Sequence, residues 1–169
     1  MKQVINSILL ISIALSSISC ASMMKEGEKT PEQITSIVAN ESDPYLKENG
    51  RQEGIKVTGS GLQYLVLTEG VGPKPKSSDT VKVHYKGTLT DGKEFDSSYK
   101  RGEPISFPLS GVIKGWTEGL QLMNVGSKYR FFIPSRLAYG DPGIKDNLGN
   151  VMIPGGATLI FDVELLAFQ

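Results

Sequence analysis

The sequence predicts an α+β fold, an antiparallel β-sheet half-barrel wrapped around one short α-helix. Three observations carry this expectation. Thr80–Leu89 reads TVKVHYKGTL, an alternating run that puts Val81, Val83 and Tyr85 on one face of a strand. Gly111–Met123 holds Trp116, Leu120 and Met123 at i, i+4 and i+7, the spacing of one helix face, among segments that otherwise read as strand. The 19 glycines and 9 prolines mark a turn-rich chain. A lone amphipathic helix among strands must bury its apolar face against a sheet.

The chain of 169 residues, 39% hydrophobic, has room for one ordinary domain with extensions. Its formal net charge is zero, which gives no reason to expect a nucleic-acid partner. One Cys and one His cannot build a tetrahedral zinc site or a disulfide framework. There is no GxSxG elbow, phosphate-binding glycine loop or HExxH pair. No metal or cofactor is expected.

Taken in order, residues 1–19 form the first segment. Lys2 precedes an apolar run densest over Ile8–Leu15, and small residues lead to Cys20. That is the layout of a secretory signal peptide, too short for a spanning helix. Ser17-Ile18-Ser19-Cys20 resembles a bacterial lipobox, in which Cys20 would be lipidated and would hold the exported chain at a membrane face. Residues 20–54 turn polar and read as a tether with short helices. Thr30-Pro31-Glu32-Gln33 fits a capping box with Pro at the first helical position, and Ser42-Asp43-Pro44 offers a second cap with Gly50 as a stop.

Residues 55–169 carry the strands. Leu62–Thr68 alternates, and Gly70–Lys76 is a Gly/Pro loop before the Thr80–Leu89 strand. Asp91-Gly92 signals a hairpin into Lys93–Asp96, and Pro104–Leu109 is a further short strand. Ser127–Pro134 and Ala157–Phe168 complete the sheet. The gap Gly140–Gly156 is crowded with Gly, Pro, Asn and Asp, and a loop that long in a compact domain is usually functional.

Five motifs then agree in order: VHYKGTL at 83–89, DGKEFDSS at 91–98, GVIKGWTEGLQLMNVG at 111–126, AYG at 138–140 and IPGGATLIFDVELL at 153–166. Together they resemble the FKBP-type peptidyl-prolyl cis/trans isomerases. With its lipobox-like start, the chain is similar to the secreted macrophage-infectivity-potentiator-like bacterial branch. The resemblance implies a pocket in which Tyr85, Phe95, Asp96, Tyr139 and Phe161 act on an X-Pro bond. It also implies that Arg101, Phe107, Val112, Ile113, Trp116 and Ile153 bind the ligand, Arg101 by pairing with the pocket carboxylate. Ile105 stands where many members have Phe, and Gly111 where some carry an acidic ligand-binding residue. The implied partners are proline-containing polypeptides and macrolide inhibitors of the rapamycin type. The branch has a longer helical dimerisation region than fits here, so a monomer or weak dimer is expected.

Single residues leave alternatives open. Trp116 alone would more often be core than pocket floor, Phe107 fits core or pocket equally, and Asp96 beside a hairpin could simply cap a turn. Three functions therefore compete. They are an isomerase assisting folding outside the cytoplasm, a non-catalytic holdase using the same groove, and a surface interaction lipoprotein.

Overall fold

The computed structural model describes residues 43–169. The expected signal segment, Cys20 and the helix start at Thr30 lie outside the described residues. The elements are, in chain order, α1 (Pro44–Asn49), β1 (Lys56–Val57), β2 (Gln63–Thr68), β3 (Thr80–Leu89), β4 (Glu94–Ser97), α2 (Ser98–Arg101) and β5 (Ile105–Pro108). After them come α3 (Lys114–Leu120), β6 (Lys128–Ile133), β7 (Ile144–Lys145), β8 (Val151–Ile153) and β9 (Leu159–Phe168).

β3 organises the sheet. Its alternation buries Val81, Val83, Tyr85 and Leu89 on one face, and β9 answers with Leu159, Phe161, Val163 and Leu165. The two long strands pair antiparallel from Val81↔Phe168 to Leu89↔Leu159. Beyond β9 the order runs through β6 and β2 to β1, every pair antiparallel. On the other edge of β3 two short strands share the work: β4 covers Lys86–Thr88 and β5 covers Thr80–Val83.

α3 lies on the buried face. Leu120 and Met123 are wholly buried and Trp116 is 4% exposed. The helix packs close because it turns glycine toward the sheet: a Cβ at Gly119 would sit 2.6 Å from Phe131 Cε1. The outer face is polar, where Arg130 and Asp162 stand opposite each other on β6 and β9 and pair through two contacts of 2.5 and 2.9 Å.

Three features differ from the sequence expectation. Helix α1, in the segment read as a tether, docks on the sheet. Asp43 caps α1 by accepting from Tyr45 N–H at 2.9 Å and also accepts from the Thr158 hydroxyl. Leu46 is wholly buried, and the Gln63 side chain bonds both Asn49 Nδ2 and Leu46 C=O at 2.8 Å. The one-turn helix α2 went unread because four residues are too few to set up a periodicity. The segment 140–156 is not wholly irregular, since β7 and β8 pair as a small hairpin.

Candidate active site

The break between β4 and β5 builds the polar end of the site. Where α2 interrupts the edge of β3, Tyr85 loses its strand partner, and the Ser98 side chain replaces it. The Ser98 hydroxyl accepts from Tyr85 N–H at 2.8 Å, lies 3.2 Å from Tyr85 C=O, and has His84 Nδ1 as a further neighbour at 2.9 Å. Gly102, with φ +81°, closes α2 in the left-handed region that glycine enters without a Cβ penalty. Asp96 at the end of β4 and Arg101 in α2 are thereby brought to one side chain, Tyr85. The Tyr85 hydroxyl donates to Asp96 Oδ2 and accepts from Arg101 Nη2 at 2.8 Å, while Arg101 Nη1 lies 2.5 Å from Asp96 Oδ1.

Burial first, and then the hydrogen bond to Asp96, push the Tyr85 hydroxyl up to about 12. Burial by itself would raise the Asp96 carboxyl as well. The hydrogen bonds from Tyr85 and Arg101, with the guanidinium charge, outweigh burial and hold it below its ordinary value. At neutral pH the cluster is an ionised carboxylate, a protonated phenol and a guanidinium. It is a fixed set of dipoles rather than a proton-transfer pair.

These three residues stand at the mouth of a cavity of about 750 Å³, a size that suits a small ligand or one segment of a peptide. Trp116 is its floor. The indole meets Tyr85, Phe107 and Phe161 edge to face, with centroids 5.1, 5.6 and 5.3 Å away and planes at 86°, 88° and 80°. Phe95 meets Phe161 in the same way at 5.5 Å and 87°. Such T-shaped pairs hold rings at fixed angles and lock the walls before any ligand arrives. Gly87 on β3 leaves room for the last pair: a Cβ there would lie 2.7 Å from Phe95 Cζ and 2.8 Å from Phe161 Cε1. The Trp116 Nε1–H is buried without a hydrogen-bond partner among the described residues. Its surroundings are rings, which a nonpolar ligand surface would complete.

The remaining expected residues line the same cavity: Val112 and Ile113 at the start of α3, Tyr139 after β6, and Ile153 on β8. The structure therefore brings together every cavity residue named from the sequence, with Phe107 on the wall and only partly buried. Two of the lining residues carry donors without protein partners among the described residues, the Ile113 N–H and the Tyr139 hydroxyl. Burial, and next the charge of Asp96, raise the Tyr139 hydroxyl above its ordinary value, so it too stays protonated. Ile105 and Gly111 also line the cavity, the first supplying an aliphatic wall and the second an open rim. Sequence reasoning did not resolve Ile144 and Met152, which the β7–β8 hairpin swings onto the cavity. Their only signal was an apolar character within a loop rich in Gly, Pro, Asn and Asp. No group of three or more potential metal ligands occurs among the described residues, and no helix among them is long and apolar enough to cross a membrane.

An antiparallel sheet with α3 on its buried face thus holds an aromatic cavity that has a Tyr85–Asp96–Arg101 cluster among its lining residues. Residues 72–166 match the family model described as FKBP-type peptidyl-prolyl cis-trans isomerase, and residues 9–66 match the domain amino terminal to it. The chain belongs to the FKBP-type peptidyl-prolyl cis-trans isomerase family. It is 59% identical over 127 residues to the FKBP-type peptidyl-prolyl cis-trans isomerase FkpA of Aeromonas hydrophila, covering 75% of this chain and 45% of that protein. It is 52% identical over 122 residues to FkpA of Escherichia coli strain K12, covering 72% and 43%. The chain thus spans less than half the length of these two relatives. The crystal structure of FkpA from Escherichia coli superposes with TM-score 0.68 at 46% identity, covering 82% of this chain and 61% of that one. A peptidyl-prolyl cis-trans isomerase from Pseudomonas syringae pv. tomato gives TM-score 0.68 at 36% identity, with 85% and 99% covered.

Proposed function

We propose that the cavity receives the proline ring of a polypeptide and accelerates rotation about the preceding X-Pro bond, assisting folding outside the cytoplasm. The observation that carries this reading is the locked aromatic box of Trp116, Tyr85, Phe107, Phe161 and Phe95 with the Tyr85–Asp96–Arg101 cluster at its mouth. An X-Pro bond relaxes unaided in ~10–100 s, over a barrier close to the ~18–20 kcal/mol of peptide bonds. Bringing that to about 10 ms needs roughly 10³–10⁴-fold, or ~4–5.5 kcal/mol. No covalent intermediate is required for so modest a reduction.

The planar amide owes its stiffness to a dipolar resonance form that water stabilises. A cavity lined by rings packed edge to face, with no gap between neighbours, offers that water no partners and favours the twisted, less dipolar amide. In this reading Trp116 is the floor under the proline ring, and Phe95 and Phe161 close the sides with Val112 and Ile153. The Ile113 N–H and Tyr139 hydroxyl bond the flanking carbonyls and fix orientation. Asp96, held by Arg101 and Tyr85, presents a charge that is in place before the amide twists. The test is a protease-free isomerisation assay on an X-Pro tetrapeptide, with and without a rapamycin-type macrolide. The expected result is acceleration that the macrolide abolishes; macrolide binding without any acceleration refutes catalysis and leaves the holdase reading.

The same proposal places the chain outside the cytoplasm on a lipid anchor at Cys20. Its support is the apolar run Ile8–Leu15 followed by the lipobox-like Ser17–Cys20. Cys20→Ser is expected to move the protein from the membrane to the soluble fraction. An unchanged distribution rules the anchor out.

A further inference from the structure

The two donors assigned to the flanking carbonyls sit on separate elements, so their spacing depends on what joins those elements. Ile113 stands at the N-cap of α3, whereas Tyr139 follows the short turn Ser135–Leu137 that leaves β6. A cluster outside the cavity connects the two. The Arg136 guanidinium, three residues before Tyr139, donates through Nη2 to the Ser60 C=O. The Ser60 hydroxyl donates to Glu118 Oε2 at 2.5 Å, and Glu118 is on α3, two residues past Trp116. Ser60 is itself held in a turn: Thr58 Oγ1 stands 3.0 Å from its hydroxyl, and Thr58 N–H bonds Leu62 C=O at 2.9 Å. Partial burial lowers the Arg136 guanidinium from its ordinary value, and the charge of Glu118 opposes that lowering. None of Ser60, Glu118 and Arg136 lines the cavity.

Both ends of the cluster are tied to a donor. On α3, the Trp116 and Thr117 N–H groups close on Ile113 C=O at 2.9 and 3.1 Å, and Thr117 Oγ1 donates to Leu109 C=O at 2.7 Å. After β6, the Ala138 and Gly140 N–H groups close on Ser135 C=O at 2.9 and 2.8 Å, so Tyr139 rides on a turn that includes Arg136. We infer that Ser60, Glu118 and Arg136 form a brace that sets the separation of the Ile113 N–H and the Tyr139 hydroxyl, which makes Glu118 and Arg136 positioning residues for the prolyl substrate. This rests on the reading of the cavity as a prolyl site. Folding alone explains the cluster poorly, because charges paired at a surface add little to stability. Misplacing an orienting group by ~1 Å, in contrast, can cost about 100-fold in rate.

A brace matters only while both donors are present, and that sets the experiment. Arg136→Ala, Tyr139→Phe and the double variant are compared in the full chain, for kcat/KM on an X-Pro tetrapeptide well below each Tm. Arg136→Ala is expected to lower kcat/KM by about three- to ten-fold in the wild-type background and by less than about two-fold in the Tyr139→Phe background. Glu118→Ala should behave like Arg136→Ala, and Glu118→Gln, which keeps an acceptor for the Ser60 hydroxyl, should recover most of that loss. Equal losses from Arg136→Ala in both backgrounds, no loss in either, or no recovery in Glu118→Gln would each overturn the brace. The Ile113 amide and Tyr139 ring resonances report the same geometry without substrate; both should shift in Arg136→Ala, and unshifted resonances overturn it too. Should the wild-type protein fail to accelerate the tetrapeptide, the prolyl reading falls, and the resonances alone then decide the brace.

Discussion

Replacing Gly87 by Ala tests the aromatic walls without altering any side chain that lines the cavity. Gly87 stands in register between Asp96 on β4 and Phe161 on β9. The new methyl would lie 2.7 Å from Phe95 Cζ and 2.8 Å from Phe161 Cε1. Carbon atoms settle at ~3.5–4.0 Å, so one or both rings must retreat by roughly 0.7 Å or more. Overpacking of this kind costs about 1–3 kcal/mol, a fall in Tm of roughly 4–12 °C for a domain of this size. A misplacement of ~1 Å in a catalytic site can cost about 100-fold, so kcat/KM on an X-Pro tetrapeptide should drop by roughly 10–50-fold well below the new Tm. Gly119→Ala is the control. Its methyl would lie 2.6 Å from Phe131 Cε1, an equally severe clash against a core ring that does not line the cavity. It should lose comparable stability yet stay within about two-fold of wild-type kcat/KM when folded. Equal activity losses in the two variants, or full activity in folded Gly87→Ala protein, would refute the claim that the placement of Phe95 and Phe161 drives the rate.

Three further outcomes are expected. Trp116→Leu should weaken macrolide binding by at least about ten-fold at equal foldedness, measured by fluorescence-independent calorimetry; Leu120→Ala, a wholly buried core truncation, should cost about 2–5 kcal/mol of stability and little affinity. Catalysis should be flat from about pH 5 to pH 9, because Asp96 is held below its ordinary carboxylate value and Tyr85 is pushed up to about 12; an inflection inside that range in the pH–rate profile would mean a proton is transferred. The lowered Asp96 value adds stability that is present above the ordinary carboxylate range and lost as pH falls through the folded-state value, a loss that Asp96→Asn should remove from an acid-unfolding curve. Asp43→Ala should destabilise by about 1–2 kcal/mol in urea unfolding, since it removes the cap of α1 and the bond from Thr158; no change would mean that α1 is not part of the cooperative unit.

What could be read from the sequence divides along physical lines. Val81, Val83 and Tyr85 were legible because a ten-residue strand buried on one face has to alternate, and Trp116, Leu120 and Met123 because a helix on a sheet has to repeat. The cavity residues were reachable only through five motifs in order, since Phe161, Phe107 and Tyr85 look like core residues one at a time. The helix α1 was legible from its Asp43 cap and Gly50 stop, but its docking was not, because that rests on one buried leucine and on bonds that reach 17 and 115 residues along the chain. Neither distance leaves a local trace. Ile144 and Met152 escaped for a related reason: the hairpin that places them is held by Asp146 and its turn, so composition alone reads it as loop.

The site is built from parts of unequal stiffness, and the inequality fits the chemistry. Tyr85 and Phe161 stand on the two longest strands, paired with each other's neighbours over nine register positions, and Trp116 is wedged between them by α3. In the proposed reaction these groups would withdraw water from the amide and keep their spacing while it twists, so each misplacement would fall directly on the barrier. Asp96 and Arg101 sit instead on a strand end and a one-turn helix, more than a third exposed, where they are held by hydrogen bonds to the Tyr85 hydroxyl and to each other. An exposed ion pair contributes little to stability, roughly 0–1 kcal/mol, so this cluster is poorly explained as a device for folding. At the mouth of the cavity, however, its charge acts across an apolar space where fixed dipoles are felt more strongly than in water. The break in the edge of β3 is therefore the structural step that joins a sheet core to a site: it forfeits a strand partner for Tyr85 on that edge, while β9 still pairs it on the other, and gains an oriented carboxylate at the cavity.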